Sequence, residues 1–489
     1  MSRKTIALLL LLTVAALVVH GYHPAVEDGE IYLPGIKKDL NPSLYPFGDE
    51  FFMSHAHMTL FDEVVAASIR ITHLPFNDAI ILWHLACIFG LLAGCWRVGR
   101  TCFDDPRAAW GGTALVAALL TIPVAGTSLY IMDQYLTTRD MSTAGIMLVI
   151  ANGIERRFVR AAVWSVLVAA IHPLMAVFGI ALLFFVWVEE HRPAISGLGK
   201  GRAAGAEAGL LLPLGLSFGR VPDAYREALN TRRYFFLLRW EWYEWLGIFA
   251  PLALLWWMAR YARKRGLRNM EALSRALIVF ELVFFAGALV LSIPALAGLT
   301  LLQPMRSLHL VFILLFVLLG GIAAQTVLRS YVWRWLVLFA PLCFLMFYVQ
   351  RQLFPATVHL ELPGRAPKNP WVQAFEWIRT HTPQNAIFAL DPDHMALPGE
   401  DQHGFRALAE RSMLADAVKD SGAVTMFPKL ADTWREQVRA QDGWKHFGRE
   451  DFERLREKYG VSWVVLQRPG VPGIQCPYEN EAVMVCRVE

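Results

Sequence analysis

The stretch RRFVRAAVWSVLVAAIHPLMAVFGIALLFFVWVEEHR, residues 156–192, decides how this chain is organised. Its apolar interior, Ala161–Val188, is flanked by Arg156, Arg157 and Arg160 on one side and by His191, Arg192 and a basic run to Arg202 on the other. The interior reads either as one long helix or as two short ones meeting at His172-Pro173. Proline lacks a backbone donor and pushes the residue before it out of the helical region. Charge separates the two readings. Cationic loops are held on the cytoplasmic side of a membrane, so both ends belong inside, and only a segment that goes out and returns satisfies both. Two short spans are therefore expected, with His172 near the outer turn.

The pattern repeats on either side. The chain has 489 residues, 55% hydrophobic and 18% charged, whereas an average soluble protein carries roughly 25% charge. The apolar residues gather in windows long enough to cross a hydrocarbon core. Ser2-Arg3-Lys4 opens an apolar run to Val19 with no small-x-small cleavage signature before Tyr22, which reads as an uncleaved first helix. Further spans are expected over Asn77–Trp96, Ala108–Met132 and Ser142–Glu155. Beyond the 156–192 stretch they fall at Ala208–Phe218, Trp245–Tyr261, Leu273–Ile293, Ser307–Leu328 and Val332–Val349. Arg97, Arg100 and Arg107, and later Arg260–Arg268, mark inner loops. The expectation is about 11 spans, N-terminus inside and C-terminus outside. Between the first two spans lies an outer loop, 22–76, with an amphipathic run from Met53 to Ile71 that suits a helix lying in the interface.

From about residue 355 the apolar windows stop. Residues 361–489 carry 16 Lys+Arg against 19 Asp+Glu, a net of −3, so the rest of a chain of net +4 carries +7. The arginines are dispersed at segment ends, and no patch suits a nucleic acid. Asn369-Pro370 reads as a helix N-cap and first turn, with a helix to His381 stopped by Thr382-Pro383. Strands are expected at Ala386–Leu390, Val461–Leu466 and Ala482–Val488, and helices at Ala407–Asp420, Lys429–Gln441 and Arg449–Tyr459. The fold class expected is thus a mainly α-helical polytopic membrane domain, 1–354, followed by a small exported α/β domain, 355–489. Cys87, Cys95, Cys102 and Cys343 read as packing residues. Cys476 and Cys486 flank a Pro-Tyr-Glu-Asn turn and are either a hairpin disulfide or two unpaired thiols.

The chemistry concentrates just after the first helix, in His23-Pro-Ala-Val-Glu27-Asp28-Gly-Glu30-Ile-Tyr32. Adjacent acids repel, and ionised acids near hydrocarbon are costly, so such a cluster has a task or a partner unless it is a solvated loop. A general base needs a carboxylate near its proton, and a divalent cation such as Mg or Mn needs several oxygens. Asp28, and Asp133 at the outer end of the third expected span beside Asp140, are the candidate metal ligands. Arg306, in Gln303-Pro-Met-Arg306-Ser-Leu-His309, begins a span on the outer side, where positive-inside statistics do not favour it. A guanidinium there either snorkels into headgroups or clamps a phosphate. Glu281, inside a span, reads as a helix–helix hydrogen bond.

An acidic pair directly after the first helix, an interfacial amphipathic helix, many spans and an exported tail together resemble the GT-C class of integral-membrane glycosyltransferases. The tail segments Trp377–Pro383, Phe405-Arg406, Arg411-Ser412 and Asp416 are similar to those of uncharacterised bacterial GT-C-like proteins. The resemblance implies transfer of a sugar from a polyprenyl-phosphate-linked donor to an acceptor on the outer face of a bacterial inner membrane. By position, Asp28 would be base or metal ligand with Glu27 in support, while Arg306, Asp133 and His172 would bind substrate. The chain departs from the pattern in having no Asp-x-Asp in the first outer loop and no Trp-Trp-Asp motif in the tail. Competing readings are a transporter, disfavoured by the lack of an inverted repeat, and a non-catalytic envelope assembly or sensor protein.

Overall fold

A computed structural model of the protein describes residues 1–195 and 221–488. The first helix, α1 (Arg3–His20), is capped by Ser2, whose hydroxyl accepts the Thr5 amide at 3.2 Å. The segment expected as the first outer loop is built from three short helices, α2 (Gly29–Leu40), α3 (Glu50–Ala56) and α4 (Phe61–Thr72). The expected amphipathic run from Met53 to Ile71 is thus not one helix but two, and α2 is an addition. Next come α5 (Phe76–Cys102), α6 (Pro106–Ala118), α7 (Thr138–Ile154), α8 (Phe158–Ile171) and α9 (Pro173–Ile195). The break at His172-Pro173 falls where the sequence places it. His172 is extended (φ −153°, ψ 90°), and its Nδ1 accepts the Met175 amide at 3.4 Å, capping α9. The expected span Ala108–Met132 is corrected: its helix stops at Ala118, and residues 119–137 run as a buried irregular segment with a Pro123–Tyr130 bridge. The span expected at Ala208–Phe218, and the basic stretch leading to Arg202, lie outside the described residues.

Then follow α10 (Asp223–Asn230), α11 (Trp242–Arg265), α12 (Arg268–Leu291), α13 (Leu308–Ala323) and α14 (Val332–Leu353). Six stretches among the described residues are long and apolar enough to cross a membrane unaided. By contrast α6, α7 and α8 have 13, 17 and 14 residues, which at 1.5 Å each is roughly 20–26 Å against a core of about 30 Å. Alone, none of the three helices reaches that depth. Small residues let the spans close up: Gly111 and Gly112 of α6 lie against Gly320 and Val317 of α13, with no room for a Cβ. Glu281 of α12 is buried with neither oxygen hydrogen-bonded among the described residues, so the bond expected of it is not made.

The C-terminal part holds α15 (Pro370–His381), β1 (Ile387–Ala389), α16 (Phe405–Ala409), β2 (Ser412–Met413), α17 (Asp420–Met426), α18 (Ala431–Ala440), α19 (Arg449–Tyr459), β3 (Val461–Gln467), β4 (Gln475–Glu479) and β5 (Val483–Arg487). The sheet order is β2-β1-β3-β5-β4, with β1 parallel to both β2 and β3 and the last two pairings antiparallel. Alternate residues face opposite sides, as strand geometry requires. Phe388 and Val465 pack with Trp371, Phe375 and Ile378 of α15, while Ala389, Val464 and Leu466 pack with Phe452 and Leu455 of α19. Two expectations fail here. The helix expected over Ala407–Asp420 is instead the short α16, ended by Glu410 in the left-handed region (φ 52°), then β2 and the approach to α17. The expected Pro-Tyr-Glu-Asn turn is largely strand, since Pro477, Tyr478 and Glu479 lie in β4. Cys476 and Cys486 form a disulfide joining β4 to β5.

Candidate active site

The C-terminal part grips the 22–76 segment at several points. Gly404 donates its amide to the Ala25 carbonyl at 2.8 Å, and Glu27 donates to Gln402 at 2.9 Å. These contacts hold Glu27 in the left-handed region (φ 52°), where a non-glycine residue costs about 1–2 kcal/mol. Such strain persists only where the surroundings over-determine it. It turns the chain so that Glu27 and Asp28 face the same way. Asp28 stands at the N-cap of α2 but makes no side-chain cap bond, leaving its carboxylate free near the positive end of the helix.

Lys419, immediately before α17, meets that carboxylate. Its Nζ lies 3.0 Å from Asp28 Oδ1 and also pairs with Glu27 Oε2. The lysine side chain is 7% exposed, whereas Asp28 is 42% exposed toward the cavity it lines. Burial alone would raise the Asp28 carboxyl. Lys419, with Arg139 and Arg232 beyond it, outweighs that and holds the group well below the usual carboxylate range. Burial likewise opposes the Lys419 ammonium, and Asp28 and Glu27 hold it above the usual lysine range.

The cavity has a volume of about 700 Å³. Asp28, Glu27, Asp133, His172 and Arg306, the candidates chosen from sequence, all line it. They do not contribute alike. Asp133 is ion-paired to Arg139 of α7, both nearly buried, so it serves as a counter-ion. His172 caps α9 with its Nδ1. Arg306 stacks its guanidinium 5.2 Å from the Tyr234 ring and has no carboxylate partner among the described residues; its Nε is buried and unpartnered. Sequence reading missed Arg232, whose Nη2 donates to the Val418 carbonyl and to Ser421 Oγ, and whose Nε is also buried without a partner. One wall is apolar, with Leu129, Leu174, Val177, Leu301, Leu302 and Leu353.

The residues present do not fit a divalent cation. Among the described residues, no three His, Cys, Asp or Glu side chains converge as ligands. The two metal candidates are already spoken for, Asp28 by Lys419 and Asp133 by Arg139. Behind the site, Arg406 is fully buried. It grips Asp420 with two bonds of 3.0 and 2.7 Å and reaches Glu30 at 3.4 Å and Asp416 at 3.9 Å. Glu30 also accepts the amides of Arg406 and Ala407 at 3.0 and 2.9 Å. Since Glu30 follows Asp28 by two residues and Asp420 adjoins Lys419, one guanidinium sets both sides of the acid–lysine contact.

No protein-family model matches the chain, and no curated protein matches it in sequence. Among solved structures it is similar to the apo oligosaccharyltransferase of Archaeoglobus fulgidus, at 12% identity and a TM-score of 0.47, over 95% of this chain and 70% of that one. It is also similar to ArnT from Cupriavidus metallidurans bound to undecaprenyl phosphate, at 13% identity and a TM-score of 0.47, over 100% and 99% of the two chains. A third is the Archaeoglobus fulgidus oligosaccharyltransferase AglB with an inhibitory peptide and a dolichol-phosphate, at 13% identity and a TM-score of 0.39, over 95% and 69%. At such identities the likeness is one of shape, and the chemistry must come from this chain's own residues.

Proposed function

We propose that the protein is a membrane glycosyltransferase that moves a sugar from a polyprenyl-phosphate-linked donor to an acceptor at the outer surface of a bacterial inner membrane. One observation carries the reading. A single cavity combines a carboxylate paired to a buried lysine, two guanidiniums with no carboxylate partner among the described residues and several apolar lining residues. The guanidiniums of Arg306 and Arg232 suit a phosphate, which a planar fork can bind with two bonds. The apolar wall suits the first isoprene units of a lipid carrier. Asp28 accepts the hydrogen bond of the acceptor nucleophile. As that nucleophile bonds to the anomeric carbon, its proton passes to Asp28, the carbon–oxygen bond to phosphate breaks, and the phosphate leaves with the electron pair against Arg306.

The test is transfer by purified protein in nanodiscs from a panel of polyprenyl-phosphate sugars. Asp28→Asn keeps the shape but cannot take the proton, and loss of a general base costs roughly 10²–10⁴-fold. Wild-type-like transfer by that variant removes Asp28 as the base, and no transfer by the wild type across the panel removes the reading.

A further inference from the structure

We infer that Lys419 is the resident cation of the Glu27–Asp28 pair and stands where a divalent metal ion would, so that the site is built to operate without one. The inference deepens the glycosyl-transfer reading, yet it is tested on metal binding, which needs no turnover. A hard divalent ion needs a shell of several oxygens. Here the two outermost carboxylates converge on a single ammonium, which donates to both Glu27 Oε2 and Asp28 Oδ1. The lysine is nearly buried, and it is fixed in place because Asp420, next in the chain, is clamped by Arg406 through two bonds. An entering metal ion would have to displace that ammonium from both carboxylates it bridges.

The charge of the cavity points the same way. Of the cations that line it, Arg139 is paired with Asp133, Lys419 with Glu27 and Asp28, and Arg233 with Glu241 and Glu244, which leaves Arg232 and Arg306 as positive charges with no carboxylate partner among the described residues. Such a field repels a further dication and draws in an anion. The C-terminal part therefore does more than cover the site: it supplies the positive charge that the acid pair needs.

The experiment titrates Mn²⁺ into full-length protein in nanodiscs and follows the free-ion signal by electron paramagnetic resonance. Wild type and Asp28→Asn should bind Mn²⁺ equally weakly. Lys419→Ala should bind at least about tenfold more tightly, because an unpaired carboxylate pair attracts a dication, and the gain should vanish in the Lys419→Ala, Asp28→Asn double variant. Lys419→Arg, which keeps the charge, should exclude Mn²⁺ as the wild type does. Binding by the wild type that Asp28→Asn weakens tenfold overturns the inference, as does a folded Lys419→Ala with no gain. If Lys419→Ala does not fold, the wild-type and Asp28→Asn comparison decides by itself. A wild type that transfers no sugar from any donor would sink the glycosyl-transfer reading and leave this result standing.

Discussion

Replacing Arg406 with alanine should loosen the C-terminal part from the first outer loop. The guanidinium holds Asp420 through two bonds, reaches Glu30 and Asp416, and every one of these side chains is 0–1% exposed. Removing it strands three carboxylates in a closed space. Breaking a buried pair in this way costs about 3–5 kcal/mol. For a unit of this size, at roughly 3–5 °C per kcal/mol, the melting temperature should fall by roughly 10–20 °C. Arg406→Lys should fall between, because an ammonium cannot span Asp420 and Glu30 at once. The loss should also depend on pH. Burial already raises Glu30 to about 8 and Asp420 to about 6 against the pull of Arg406, and without the arginine both rise further. A carboxyl raised in the folded state binds protons that the unfolded chain releases, so stability recovers as pH falls. The deficit of Arg406→Ala should therefore be smaller at pH 5 than at pH 8. Thermal unfolding in detergent reads the shift, and hydrogen exchange at residues 28–40 and 405–420 reads its location. A shift under about 3 °C with unchanged exchange in both segments would refute the reasoning.

A second network predicts a pH profile. Glu361 accepts from His23 Nδ1 at 3.0 Å and His403 Nε2 at 3.1 Å. Burial would lower His403, but Glu361 raises it to about 9, and Glu361, which burial would raise, is drawn to about 2 by His403. The His403 contribution is complete below its ordinary 6.5 and lost as pH rises through about 9, while that of Glu361 is complete above 4.5 and lost as pH falls toward 2. His403→Gln should flatten the alkaline loss of melting temperature; an unchanged alkaline limb would discount the pair. Arg306→Ala should weaken binding of a polyprenyl phosphate by roughly 10–100-fold, the worth of a charged hydrogen bond of about 1.5–3 kcal/mol. Arg306→Lys should recover only part of this, and calorimetry in nanodiscs measures both. For topology, a cysteine at the exposed Glu457 should label from outside intact cells and one at the exposed Arg265 should not; the reverse pattern would invert the orientation.

The spans were legible because hydrocarbon demands composition, and composition survives without knowledge of packing. The same signal misled at Ala108–Met132. Residues after Ala118 stay apolar because they are buried among helices, and only Pro123 and Gly126 warned that the chain had ceased to be one. At Ala407–Asp420 the spacing of apolar residues suited a helix, but Arg406 and Arg411 are fixed by distant partners. Arg411 donates to the Arg379 and Thr382 carbonyls at 2.7 Å each, and the chain turns at Glu410 to meet β1. Tertiary contacts outweighed local preference there.

The site divides along the same line. Glu27, Asp28, Asp133, His172 and Arg306 could be chosen because the charge pattern places each at a chain end expected on the outer side, and such ends are expected at one level of the membrane. Lys419 could not be chosen, since it lies in an ordinary Asp-Ala-Val-Lys-Asp-Ser-Gly stretch, 391 residues from Asp28. Nothing local distinguishes a solvated lysine from one buried against an acid pair. The acids themselves held the clue, because two adjacent carboxylates near hydrocarbon require a counter-charge, and the first outer loop before the α2 turn offers none. That missing charge had to come from elsewhere in the chain, and the C-terminal part is where it comes from. Its small sheet presents α17 to the membrane part, and Arg406 fixes α17 and α2 in a common frame. The protonation state of Asp28 is therefore a property of the docked molecule. A change that undocks the tail should alter the chemistry of the acid pair before it disturbs a single span.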